Sequence, residues 1–497
     1  MVLPSLTRSA AGRARTPEVS LLIEHRQRLL APALVLLTAL WVGVPVAAGP
    51  AARTGPVTSA GTNPSPPAAG DERDVILLND GKEVRGRILQ RYEEDKLIVL
   101  DGSRTVDIPR ANLFQVVNDT RANLRTFLQE RRPRLSLGEE WALVARADQL
   151  GLPRMGDLQA WHVLSLDPRH TGANERLGHR LRRGKWEWPV GRRWVEPASF
   201  EERITSWRER LTMESENYRV ETNTSIEVAV NTLFDLERAY TYWLDHLGAN
   251  LRAAEVPLEP QYRMKVWVFA TREEPAYPRW TGGERVPFYG ASQEYVTERG
   301  EPNIVYTDTG GSAYPRRLME LAAQQLLYTT MVYGRRTGNA PVTELGRPAY
   351  WAEVGVGYWF SQVFGGVPGY AAPGPFRPTS SVRRIAGQRA PRGSALFNRR
   401  KELPNLISLP FREYHTTDEE EVSYLGAKAK TFFTFLLVED PPVVRNGQLV
   451  GTGREALLGY LRQVYGTPRG HSSSAFDDAV KPGKIEDLQP VWEEYLR

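Results

Sequence analysis

"RRLMELAAQQLLYTT", Arg316–Thr330, reads as a helix carrying a single carboxylate, Glu320, among Leu, Met, Ala and Gln. A plain core helix would be more stable with Leu or Ala at that position, because a buried carboxylate costs free energy unless it is paired or hydrogen-bonded. A Glu on a solvated helix face, paired with Arg316 or Arg317, would need no further explanation. A Glu kept for chemistry would. The neighbouring elements bear on that choice.

Ahead of this helix, "YRVETNTS" reads as a strand leading into the long helix "IEVAVNTLFDLERAYTYWLDHLG". "RMKVWVFAT" and "NIVYTD" read as two further strands, the first β-rich and largely apolar, the second bounded by Pro302 and Gly310. After the Glu320 helix and a polar loop comes a second helix, "PAYWAEVGVGYWFSQ", where Glu353 stands among nearly all apolar neighbours. Beyond a Pro/Gly-rich insertion at 365–392 the chain ends in helical segments "EVSYLGAKAKTFFTFLLV", "REALLGYLRQVY" and "DLQPVWEEYL". A few strands followed mostly by helices is an α+β arrangement, assigned to residues 201–497. The acidic run "TTDEEEV" reads as the N-terminal cap of the first of those last helices.

This order, with a Glu inside the first helix and "P-x-x-W-x-E-x-G" opening the second, resembles the gluzincin class of zinc metallopeptidases in clan MA, as found in exported bacterial proteins. That class carries H-E-x-x-H-Q on the first helix and a third, Glu ligand on the second. Two imidazoles four residues apart share one helix face and one tetrahedral Zn²⁺, and the Glu after the first His takes a proton from the metal-bound water. By this resemblance Glu320 falls on the general-base position and Gln324 on the Gln after the second His. Pro348, Trp351, Glu353 and Gly355 fall on the second-helix motif, with Glu353 at the third-ligand position. The histidines themselves are replaced, the first by Met319 and the second by Ala323. Ala has no donor atom, and a thioether is a poor partner for Zn²⁺. None of the seven histidines falls on either helix.

The resemblance therefore implies a catalytically inactive peptidase homologue that acts as a peptide- or protein-binding or scaffold module. No cofactor is expected where relatives hold zinc. It also implies that the carboxylates of Glu320 and Glu353 approach one another. Asn303, Ile304, Val305 and Tyr306 would form the edge strand on which a peptide pairs. Two alternatives stay open. One is an active metal-dependent peptidase in which His246, His415 or His471 converges on Glu320 and Glu353. The other is an attachment protein that binds an envelope partner through its upstream parts.

Those upstream parts are distinct in composition. Basic residues precede the apolar run "LLAPALVLLTALWVGVPVAA", Leu29–Ala48, so residues 1–48 read as a cleaved export signal or a retained inner-membrane anchor. Either would send the remainder out of the cytoplasm, to a periplasmic or other extracytoplasmic location. Residues 49–73, rich in Pro, Ala and Gly, read as a flexible tether. From 74 to 118, five short β-rich runs separated by "NDGK", "EEDK" and "DGS" turns predict a small SH3-like or Sm-like barrel. Residues 119–200 predict three helices with a tetratricopeptide-like tail, "LSLDPRHTGANERLGH", and a Trp-rich connector. The next stretch, "SFEERITSWRERLTMES", predicts one amphipathic helix. His162, His170 and His179 lack metal-ligand spacing and read as surface or packing residues.

At 497 residues, 41% hydrophobic and 25% charged, the chain has room for several cores. The absence of cysteine excludes disulfides, thiol catalysis and iron–sulfur clusters. A formal charge of +5 from 64 basic and 59 acidic residues is too small and too dispersed to argue for nucleic acid. No glycine pattern of a nucleotide-binding loop and no G-x-S-x-G elbow is present.

Overall fold

The computed structural model describes residues 74–102, 104–255, 263–271, 293–298, 301–307, 316–333, 349–394, 396, 402–409, 414, 418–466, 474–479 and 483–497. Residues 1–48, read as a signal or anchor, and 49–73, read as a tether, lie outside them. Among the described residues no helix is long and apolar enough to cross a membrane.

Five strands come first: β1 Asp74–Leu78, β2 Glu83–Gln90, β3 Lys96–Asp101, β4 Arg104–Pro109 and β5 Leu113–Asn118. Their ends fall within one residue of those read from the sequence. All pair antiparallel in the order β4-β3-β2-β1-β5, with a 3₁₀ turn, Arg110–Asn112, between β4 and β5. Gly81 (φ +81°) and Gly102 (φ +60°) supply the left-handed backbone that the Asp-Gly turns require. Ile76, Ile88, Leu97, Val99 and Ile108 form a small core belonging to this sheet alone.

The sheet is joined to the rest of the molecule by ion pairs. Glu255, with a fully buried side chain, receives Arg91 at 2.6 Å and lies 3.4 Å from Arg121 and 3.5 Å from Arg87. Arg91 also holds Asp119 at 2.6 Å, Arg121 holds Asp245, and the Tyr92 hydroxyl donates to the Leu244 carbonyl at 2.7 Å.

Helices α1 Thr120–Glu130, α2 Leu137–Gln149, α3 Pro153–Leu166 and α4 Thr171–Arg176 follow. Ser136 and Glu139 form a reciprocal capping box at the start of α2. Val144 and Val163 belong to the same apolar cluster as Phe234, Phe360 and Trp492, so the core runs past residue 200 without a break. The described residues, from Asp74 onward, belong to one compact unit. The three histidines pack: His162 lies 3.5 Å from Glu140, His170 caps α4, and His179 stands beside Trp161 and Trp188.

The Trp-rich connector is a three-stranded antiparallel meander of β6 Arg180–Arg182, β7 Lys185–Val190 and β8 Arg193–Val195. The amphipathic helix expected from Ser199 onward is shorter than the sequence suggests. It stops as α5, Phe200–Ile204, and β9, Leu211–Glu214, pairs antiparallel with β10, Tyr218–Thr222. Leu211 and Met213 alternate with more exposed neighbours, so strand pairing buries them as a helix turn would not.

The second sheet has the order β12-β13-β11-β10-β9, where β11 is Met264–Phe269, β12 Gln293–Glu298 and β13 Glu301–Thr307. β10, β11 and β13 run parallel, and β9 and β12 are antiparallel at the two edges. This corrects the expectation for Asn303, Ile304, Val305 and Tyr306. They lie in β13, which pairs with β11 on one side and β12 on the other. The physical reason is local: β12 pairs antiparallel with β13, from Gln293 opposite Tyr306 to Glu298 opposite Glu301, and takes the edge itself.

Ser225 caps α6, Ile226–Trp243, which is buried along most of its length. Beyond the sheet come α7 Arg316–Tyr333, α8 Tyr350–Val363, α9 Ser380–Ala386, α10 Glu402–Ser408 and α11 Glu419–Thr434. The last three are α12 Gly453–Gly466, α13 Ser474–Ala479 and α14 Gln489–Leu496. The Asp418 side chain accepts from the Glu420 and Glu421 amides, as the acidic run predicts. The insertion at 365–392 is fastened to α6, because Asp235 accepts from the Gly369 and Ala371 amides at 2.8 and 2.9 Å. The C-terminal helix is fastened by Glu402, which accepts from Lys428 at 2.6 Å and from the Trp492 indole at 3.0 Å.

Candidate functional site

Helix α7 packs between α6 and α8, and α8 packs in turn on α11. Met319 and Ala323, one turn apart, are wholly buried in the common core. Glu320 is turned away from them, with a side chain 17% exposed. Its Oε2 lies 2.7 Å from Arg317 Nη1 on the same helix, and its Oε1 lies 4.0 Å from Lys430 Nζ on α11. Burial alone would raise its pKa; the two cations outweigh burial and hold the carboxyl below its ordinary value. Glu320 is thus an ionised carboxylate in a clasp of two cations. A carboxylate held that low is a poor proton acceptor at neutral pH.

The second helix meets this side chain directly. A Cβ added at Gly357 would stand 2.9 Å from Glu320 Cγ, 2.9 Å from the Glu320 carbonyl oxygen and 3.2 Å from Gln324 Nε2. Only glycine allows α8 so close to α7. Glu353 precedes Gly357 by four residues, hence occupies the same face of α8 about one turn, ~5.4 Å, along the axis. Glu320 lies at the seam between α7 and α8, and Glu353 on α8 has a partner of its own. Glu353, 1% exposed, accepts from the Tyr465 hydroxyl at 3.1 Å, and that hydroxyl lies 3.4 Å from the Ala349 carbonyl.

The remaining motif residues have packing roles. The Trp351 indole donates to the Tyr460 hydroxyl at 3.2 Å and its rings lie among Phe432, Phe433 and Tyr460. Gly355 faces α11, where an added Cβ would meet Phe433 Cβ at 2.2 Å. Gln324 is buried beside Gly357. Pro348 lies outside the described residues.

The residues at this seam do not fit a zinc ion. Position 323 has no donor atom, position 319 offers only a thioether, and both side chains are consumed in core packing. Of the histidines invoked for a rearranged site, His415 and His471 lie outside the described residues. His246 is exposed, stacked on Tyr242 at 3.9 Å with Nδ1 3.0 Å from the Tyr242 carbonyl oxygen. Among the described residues no three His, Asp or Glu side chains are grouped to hold a metal.

Arg317 was readable as a partner from its spacing to Glu320. Lys430 and Tyr465 were not, since they reach Glu320 and Glu353 from helices about a hundred residues downstream and no local pattern marks them. No protein-family model, curated protein or solved structure matches this chain.

Proposed function

We propose that the chain is an exported, catalytically silent homologue of gluzincin-type metallopeptidases that works as a peptide- or protein-binding scaffold. The observation that carries this reading is the pair of positions 319 and 323, filled by Met and Ala and buried in the core. The general-base position supports it, because Glu320 is committed to Arg317 and Lys430. The upstream five-stranded sheet, read as an SH3-like barrel, and the tetratricopeptide-like helices would be fixed parts of that scaffold. Peptide would add to β12, the edge strand of the sheet among the described residues, by β-augmentation, which needs no metal.

The test compares zinc content and peptidase activity of the wild type and the Met319→His/Ala323→His variant. We expect an inactive wild type without stoichiometric zinc, and zinc uptake restored in the variant. Stoichiometric zinc with hydrolysis in the wild type would overturn the proposal.

A further inference from the structure

The β6–β8 meander has two unlike faces. Residues paired across an antiparallel ladder share a face, and the register pairs Arg180 with Glu187, Arg182 with Lys185 and Pro189 with Trp194. One face sends Trp188 and Val190 into the core. The other carries Glu187 together with Arg180, Arg182, Lys185, Pro189 and Trp194, the last five exposed to solvent. Arg183 and Arg192 stand in the turns at either end. From Arg180 to Glu196 there are six Lys or Arg residues and two Glu, a net +4, nearly the whole +5 of the chain. Charge that is dispersed on average is locally concentrated here.

Few of these cations are neutralised. Glu187 pairs with Arg180 and Glu196 with Lys185. On this face and in its turns, Arg182, Arg183 and Arg192 are exposed and have no acidic partner among the described residues, whereas Arg193 pairs with Val190 and so lies on the opposite face. On the same face as Arg182, Trp194 is 37% exposed. Unpaired guanidinium groups beside a part-exposed Trp suit phosphate headgroups at a bilayer surface, where arginine pairs with phosphate and Trp sits at the interface.

We propose that this face docks on anionic phospholipid. The occupant is argued from charge complementarity and from the apolar run Leu29–Ala48, and it rests on the reading of that run as a membrane segment.

The chain has no cysteine, so Pro189→Cys gives a single labelling site on this face for an environment-sensitive fluorophore. The labelled full chain is mixed with phosphatidylcholine vesicles, with or without phosphatidylglycerol, and co-flotation is measured in parallel. The expected result is a fluorescence shift only with phosphatidylglycerol, lost at high salt. At about fivefold per arginine, Arg182→Gln/Arg183→Gln/Arg192→Gln should weaken the response by on the order of a hundredfold. A chain that floats with both vesicle types while the probe stays silent overturns the docking face and leaves the membrane segment standing. A shift with phosphatidylglycerol but no flotation on phosphatidylcholine supports the face and removes the membrane segment. A response to duplex DNA and not to phosphatidylglycerol overturns the proposal.

Discussion

Replacing Gly355 by Ala sets two effects of opposite sign against each other. In a helix interior Ala is favoured over Gly by about 1 kcal/mol, so propensity alone predicts a more stable protein. The structure predicts the reverse. The new Cβ would lie 2.2 Å from Phe433 Cβ and 2.5 Å from its Cγ, where ordinary contact begins at 3.4 Å. Phe433 is wholly buried, and its Cβ cannot swing aside as the tip of a flexible chain could. Helices α8 and α11 must therefore part by about 1 Å at their crossing. Overpacking of this kind costs about 1–3 kcal/mol, here toward the upper end, leaving a net loss of about 2 kcal/mol. Gly426, on α11, is the control, because a Cβ there meets nothing within 4 Å. Gly426→Ala should stabilise by up to about 1 kcal/mol. Urea unfolding followed by circular dichroism reads both as midpoint shifts at unchanged slope. Shifts of the same sign for the two variants would refute the packing account of Gly355.

Two further outcomes follow from buried charge and a buried imidazole. Glu255→Gln leaves Arg87, Arg91 and Arg121 without their shared carboxylate, which should cost about 3 kcal/mol and loosen β1–β5, read as faster amide exchange in those strands. Unchanged exchange there would show that other contacts hold the sheet in place. His179 is 7% exposed, with Nδ1 2.9 Å from Asn174 Oδ1, and burial pushes its pKa down to about 4. With an unfolded value near 6.5, its contribution is complete above that pH and is lost as pH falls toward 4, by about 3 kcal/mol in all. His179→Gln should flatten stability over that window, and an NMR titration of His179 near its ordinary value would contradict the assignment.

The sequence by itself determined the elements. Alternating apolar runs around Asp-Gly turns specified β1–β5, and helical periodicity with Ser225 and Asp418 as caps specified α6 and α11, because turns and caps are local chemistry. It also determined that positions 319 and 323 carry no zinc-binding donor, since donor chemistry belongs to the side chain alone. Tertiary structure alone decided the rest. β12 takes the sheet edge that "NIVYTD" was expected to hold, and β9 replaces the second half of an expected helix, because pairing partners are not encoded in the strand they complete. The opening question about Glu320 was settled the same way: a core helix can carry it because Arg317 and Lys430 clasp the carboxylate and Gly357 gives it room, a balance of Coulomb attraction against desolvation that exists only once three helices meet.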